Sequence, residues 1–488
     1  MDRNTLTAAD PLVVTTTGGV VRGSLDRGVR RFLGIPYAAA PYGTARFAPP
    51  QPPPAWSEVR DADAYGPTPP QVPYSGGLEQ VLPSVVIAGA DVLTVNVWAP
   101  AAGAGHPVMV WLYGGALTRG STAIPIYDGH AFARDGVVLV SLNYRLGAEG
   151  FSVLDDAPGN LGFADQAAAL AWVRDNIAGF GGDPARVTLF GESAGGASVI
   201  ALLAHPDTSG LFARAIAMSA PIGGTPRAEA RKITVAMAAD LGIAPTRAAF
   251  AAVSPDELLA SQVRVTSKGN PLLGGPGFSG VIGDEPVPVD PGVALRAGAG
   301  ARIPLLLGYT TEEYRLWFMP SGLWRTIKGW HLRAALLKSR LPGRIAGLYR
   351  RSRPGASPAE ILGAIITDVV LRVPTNALAD ARRRHGGRTW MYEFAWRSPV
   401  LDLGAAHALE VGFVFDTLDT DAARAFAGPD APQPVADAMH GAWVRFATEG
   451  DPGWAEWDDR RPVMTFDAPE SALVLAPREA ERRAVTRG

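Results

Sequence analysis

Cysteine is absent from all 488 residues. Its absence excludes disulfides, a cysteine nucleophile and thiolate metal sites, and it favours a reducing compartment. Neither charge is in clear excess. The formal net charge is −2, so the chain as a whole carries no electrostatic footprint for nucleic acid. No unbroken apolar run reaches the length of about eighteen residues that a membrane span needs. The opening stretch "MDRNTLTAADPLVVTTTGG" has no apolar core of the kind a signal peptide carries. These absences predict a cytoplasmic protein with no membrane span and no nucleic-acid partner. Internal repeats are also missing, and histidine is scarce at seven residues. What is plentiful is core material: 47 % of residues are hydrophobic and only 19 % are charged, a globular profile. The abundance of alanine, glycine, proline and arginine fits a GC-rich bacterial genome.

Short apolar runs read as buried strands at 108–113 ("VMVWLY"), 137–144 ("VVLVSLNY"), 187–190 ("VTLF"), 304–309 ("PLLLGY") and 390–394 ("WMYEF"). Helical patterns lie between them, at 165–177 and 194–204. Strands alternating with helices predict an α/β fold with a mostly parallel sheet covered on both faces. No linker interrupts the series, so a single domain over 1–488 is expected, with helix-rich insertions near 225–270 and 320–385. Basic clusters at 348–355 ("LYRRSRPG") and 381–385 ("ARRRH") read as solvated helix faces.

One stretch carries chemistry. In "LFGESAGGAS" (189–198) a serine sits between glycines, after a strand and before a helix. A strand-to-helix turn that tight strains its central residue and leaves no room for neighbouring side chains. It lifts Ser193 Oγ above the carboxyl end of the sheet, at a helix N-terminus that favours a developing anion. A serine alcohol needs a base. His106 and His130 precede the serine; His205 follows it too closely along the chain; His331 and His385 lie in charged stretches; His440 falls in a helical pattern. His407, in a loop after the strand "WMYEF", is at the sheet edge that also holds the nucleophile. An orienting carboxylate belongs after a strand, between serine and histidine. "PLLLGYTTEEY" offers Glu312 and Glu313, and either suits the role. Oxyanion donors are available from the backbone at Gly114, Gly115 and Ala116, just after "VMVWLY", and at Ala194.

With these residues assembled, the chain resembles the type B carboxylesterases, the family of bacterial p-nitrobenzyl esterases and cholinesterases. "FGGDPARVTLFGESAG" (180–195) is similar to the family's serine signature; "GIPYAAAPYGTARFAPPQPPPAW" (34–56), "NYRLGAEGF" (143–151), "GNLGFADQ" (159–166) and "FATEGDP" (446–452) resemble its other landmarks. The resemblance spans about residues 12 to 470. It implies an α/β-hydrolase fold, a serine esterase and no metal or organic cofactor. It also implies a triad of Ser193, Glu313 and His407, with oxyanion donors at Gly115, Ala116 and Ala194. Four positions depart from the family pattern without removing a catalytic group: Ala90, Val92, Tyr113 and Tyr314. Ala90 stands where a glutamate usually makes a structural ion pair.

The expected substrate is a small ester, apolar or aromatic. Its pocket is expected to draw on Leu117, on Gly274, Gly275, Pro276 and Phe278, and on Trp317, Phe318 and Met319. The shared machinery leaves carbamates, amides, natural-product esters and acyl transfer as alternatives. A non-catalytic interaction protein, known within the family where the nucleophile is lost, fits poorly with a chain that keeps the serine, the acid and the histidine.

Overall fold

Seven parallel strands occupy the middle of an eleven-stranded sheet, with antiparallel strands at both margins. The computed structural model describes residues 10–267 and 277–486. In chain order the strands are β1 (Ser24–Asp26), β2 (Val29–Pro36), β3 (Thr94–Pro100), β4 (His106–Leu112), β5 (Val138–Leu142), β6 (Gly182–Glu192), β7 (Arg214–Met218), β8 (Leu305–Thr310), β9 (Thr389–Phe394), β10 (Pro462–Phe466) and β11 (Ala472–Leu475). In space they run β11-β10-β9-β8-β7-β6-β4-β5-β3-β2-β1. β4 to β10 form the parallel block. Their residues are nearly continuous hydrophobics because helices cover both faces; Val108, Val110, Leu139, Leu189, Leu306 and Met391 have no exposed surface.

Each expected strand is present. The 165–177 pattern forms α1, Leu161–Asn176, and α2 spans Ala194–Ala204. The expected insertions are helical. The first contributes α3 (Arg227–Leu241), α4 (Arg247–Ala252) and α5 (Pro255–Thr266). The second contributes α6 (Gly329–Lys338), α7 (Arg344–Ser352), α8 (Pro358–Thr367) and α9 (Val373–Arg384). Each insertion has its own apolar cluster. Phe47, Met237, Phe250 and Leu258 anchor one; Phe318, Leu332, Leu336, Tyr349 and Ile361 anchor the other.

One expectation needs correction. The cluster at 381–385 is not wholly a solvated face. Arg382 is fully buried and donates to the carbonyls of Gly300 and Ile303 at 3.1 and 2.6 Å. A buried guanidinium survives there because carbonyls replace its lost water. Among the described residues one helical run, Pro358–Arg384, is long and apolar enough to cross a membrane by length and composition. It is mostly buried in the protein and contains a buried Asp368–Arg372 ion pair.

Arg145 and Asp165 make a second buried pair, tying the loop after β5 to α1. Asp165 accepts from the Arg145 backbone N, Nε and Nη2 at 3.0, 2.8 and 2.6 Å. Removing one partner strands a charge out of water, a cost of about 3–5 kcal/mol. Asp165→Ala is therefore expected to lower the thermal unfolding midpoint clearly, as read by circular dichroism. An unchanged midpoint contradicts this account of the pair.

Candidate active site

β6 ends at Glu192, α2 begins at Ala194, and Ser193 alone makes the turn, with φ 55° and ψ −119°. A non-glycine residue rarely holds such a backbone, and here it is imposed from both sides. A Cβ on Gly195 would lie 1.9 Å from the Leu112 carbonyl oxygen, and one on Gly191 would lie 2.6 Å from Gly195. Ser193 N donates to Met218 O at 3.0 Å, fastening the turn to the end of β7.

The adjacent carboxylates Glu312 and Glu313 follow β8. Glu313 is buried; its Oε1 accepts from Thr310 N and Ser219 Oγ, each at 2.8 Å. Its Oε2 lies 2.5 Å from His407 Nδ1. Glu312 does something else. It accepts from Arg315 Nε at 2.9 Å, from Arg397 and from Ala405 N at 3.2 Å, and its own N donates to Ala405 O at 3.0 Å. Arg315, nearly buried, also reaches Asp402 and Glu360. Of the two adjacent carboxylates, one meets the imidazole and the other clamps the loop that carries it.

His407 is buried beneath the Trp317 ring, 4.9 Å between centroids. Its Nε2 lies 3.1 Å from Glu192 Oε1. Among the described residues no hydrogen bond joins it to Ser193 Oγ, a contact that commonly tightens only with substrate in place. Burial opposes the imidazolium, but Glu192 and Glu313 outweigh burial and push His407 up to about 9. Glu192 is raised by burial; His407 pulls it down and Glu313 pushes it up. A third buried carboxyl, Glu410, is raised well above its usual range by burial and then by Glu192 and Glu313. Ser219 Oγ lies 3.3 Å from Glu410 Oε1 and so spans Glu313 and Glu410. Sequence reasoning passed over Glu192, Ser219 and Glu410. Two adjoin named residues: Glu192 precedes the serine and Glu410 follows the histidine by three positions.

After β4 the backbone takes positive φ at Gly115, Ala116 and Leu117 in succession (111°, 55°, 58°). The turn is pinned by Gly147 N on Leu117 O at 2.6 Å and by Thr118 N on Gly115 O at 3.1 Å. Among the described residues no acceptor is assigned to the Gly115 or Ala116 N–H. Ala194 N–H belongs to the first turn of α2, which lacks intrahelical acceptors. These are the donors an oxyanion requires.

The expected pocket residues separate. Trp317 lies against His407, and Leu117 is buried beside the oxyanion turn. Phe278 is partly buried between the central core and the first insertion's cluster. Phe318 is buried in the second insertion's cluster, edge-on to Tyr314 at 5.3 Å. Gly274, Gly275 and Pro276 lie outside the described residues. The other histidines sit in other settings. His440, for example, is buried between Val414 O and Asp135, and His205 follows the end of α2 and faces Glu285.

The family model described as "Carboxylesterase family" matches residues 10–467. The chain belongs to the carboxylesterase family. It is 39 % identical to the para-nitrobenzyl esterase of Bacillus subtilis, over 96 % of this chain and 97 % of the relative. It is 33 % identical to the phenmedipham hydrolase of Pseudarthrobacter oxydans, over 95 % and 94 %. A solved PNB esterase structure superposes with a TM-score of 0.86 at 35 % identity, covering 98 % of this chain and 99 % of that one. A Geobacillus stearothermophilus carboxylesterase gives the same TM-score, 0.86, at 35 % identity, covering 97 % and 99 %. The fold is the α/β-hydrolase fold and the carboxylesterase is a serine ester hydrolase acting on small-molecule esters.

Two variants separate the adjacent carboxylates. Glu313→Gln is expected to lower kcat by about four orders of magnitude, as loss of the orienting anion does in comparable triads. Glu312→Gln is expected to cost far less in kcat while lowering the thermal midpoint; equal kcat losses contradict the division. A pH profile tests Glu192. Removing its charge destabilises the imidazolium, so Glu192→Gln is expected to move the acid limb of kcat/KM to lower pH. A limb that stays or moves upward contradicts the electrostatics.

Proposed function

We propose that Ser193, His407 and Glu313 are the catalytic triad of this carboxylesterase, and that Gly115, Ala116 and Ala194 hold the oxyanion. The observation that carries the reading is the 2.5 Å approach of Glu313 Oε2 to His407 Nδ1, at the sheet edge where Ser193 makes its strained turn. His407 Nε2 takes the proton from Ser193 Oγ as Oγ bonds to the ester carbonyl carbon. The carbonyl electron pair moves to oxygen, where the three N–H groups stabilise it. The C–O bond to the leaving alcohol then breaks, and His407 returns the proton to that alcohol. Water attacks the acyl-serine with the same proton relay and releases the acid. Glu313 fixes the imidazole tautomer and supports its positive charge.

The chain reads as a single hydrolase domain over 1–488 with two helical insertions, acting in the cytoplasm. In favour is one sheet whose strands come from residue 24 to residue 475. The substrate reading is an apolar or aromatic ester. Trp317 over His407 and buried Leu117 beside the oxyanion turn support it. Carbamates or amides are the second reading, favoured by the 33 % identity to a phenmedipham hydrolase.

A series of p-nitrophenyl esters from acetyl to decanoyl, with a benzoyl member, tests the substrate. Comparable or rising kcat/KM with acyl size is expected, and a steep fall beyond acetyl contradicts an open apolar pocket. The same panel extended to carbamates and anilides separates the second reading. Ser193→Ala, folded but inactive on every member, is the control, with an expected loss of about a millionfold.

A further inference from the structure

Charge is unevenly distributed along this chain. Residues 314–359 hold ten lysines and arginines and no aspartate or glutamate, leaving 47 acids against 35 bases elsewhere. Such asymmetry within a near-neutral chain points to a surface that meets something anionic. The folded segment places the charge outward. Arg325, Lys328, Arg333, Arg340 and Arg344 are all exposed. Among the described residues no carboxylate pairs with these five: Glu360 and Asp402 are engaged by Arg315, and Glu481 by Arg353 and Arg372.

The same surface is apolar in a regular way. α6 buries Leu332 and Leu336. Its opposite face carries Trp330, Arg333, Ala334 and Leu337, spaced at three and four residues so that they form one stripe. Trp330 is 64 % exposed and Leu337 is 80 % exposed, the two most exposed large hydrophobics among the described residues after no other above 61 %. Trp324, 39 % exposed, lies in the turn Leu323–Arg325 that precedes the helix. Exposed Trp330 and Leu337 with Arg333 between them, and Lys328 and Arg340 in the flanking turns, match the chemistry of an interfacial helix, whose apolar side chains enter the acyl boundary while its cations meet lipid phosphates.

We propose that this face, α6 with its flanking turns, docks the carboxylesterase peripherally on an anionic lipid surface. A second copy of the chain is a poor occupant, since a two-fold contact through this face would oppose cations to cations. Nucleic acid matches the charge but gives Leu337 no apolar partner. The face also stands beside the chemistry. A cavity of about 500 Å³ is lined by Trp324 and Arg325 from this patch together with Met319 and Asp402, and Met319 lies two residues beyond the Trp317 that covers His407. Docking would bring that cavity to the bilayer boundary, where apolar esters concentrate.

Cosedimentation of the full chain with vesicles tests the proposal. Binding is expected to equimolar phosphatidylglycerol–phosphatidylcholine vesicles, at least about tenfold weaker binding to phosphatidylcholine alone, and a decline as salt screens the charges. The double variant Arg333→Glu/Arg340→Glu and, separately, Trp330→Ser/Leu337→Ser are each expected to weaken it about tenfold or more. Both are expected to hydrolyse p-nitrophenyl acetate in vesicle-free buffer at the parent rate, which also reports correct folding. No vesicle binding at low salt overturns the proposal, as does binding that neither variant alters. Duplex DNA bound more tightly than the vesicles, and indifferent to the Trp330/Leu337 change, assigns the face to nucleic acid instead. Dimerisation in sedimentation velocity that the Trp330/Leu337 change abolishes assigns it to a second copy.

Discussion

One imidazole sits among three buried carboxyl groups, and much of the structure serves that arrangement. Water cannot stabilise the charges of Glu192, Glu313 and Glu410, so the protein must. Glu313 receives Thr310 N and Ser219 Oγ. Glu410 is pushed up by burial and its anionic neighbours. Ser219 links the two, and it holds φ 45° to do so. His407 gains a cation's worth of attraction from both ends, through Glu313 at Nδ1 and Glu192 at Nε2. In the proposed triad the anion at Nδ1 would support the proton taken up by the ring, and the anion at Nε2 would compete with Ser193 for the same nitrogen.

Position is controlled by a second, more peripheral set of charges. Glu312 binds the backbone of Ala405 at both its amide and its carbonyl, counting main chain and side chain together. Arg397 and Arg315 neutralise it. A Cβ on Gly404 would lie 2.3 Å from Glu312 Oε2, so the loop passes as close to this carboxylate as a glycine permits. The histidine therefore rides on a loop whose path is set two and three residues earlier by an ion cluster.

How much of this could be read in the sequence follows from the range of the forces involved. Runs such as "VMVWLY" and "VVLVSLNY" are apolar enough to declare buried strands alone. β7, "RAIAM", is not. Its alanines have weak strand preference, and it is a strand because β6 and β8 bond it on both sides. The elbow at Ser193 was legible because glycines at 191 and 195 are demanded locally by the turn. The choice between Glu312 and Glu313 was not local: it depends on which side chain meets a loop more than ninety residues away, and only the family resemblance favoured Glu313. Arg382 shows the same limit from the other direction, since a basic run looks solvated until distant carbonyls from Gly300 and Ile303 close around one of its members.

Arg315 opens the second insertion and joins Glu312 and Asp402, on the catalytic side, to Glu360 at the start of α8. That insertion has an apolar cluster of its own, apart from the sheet's core, and so constitutes a unit able to open by itself. Should it loosen on warming, Arg315 loses its seat while the sheet remains intact. The histidine loop would then wander with every strand still paired. Heat inactivation would then precede global melting, the first set by an ion cluster at a helix start and the second by a sheet.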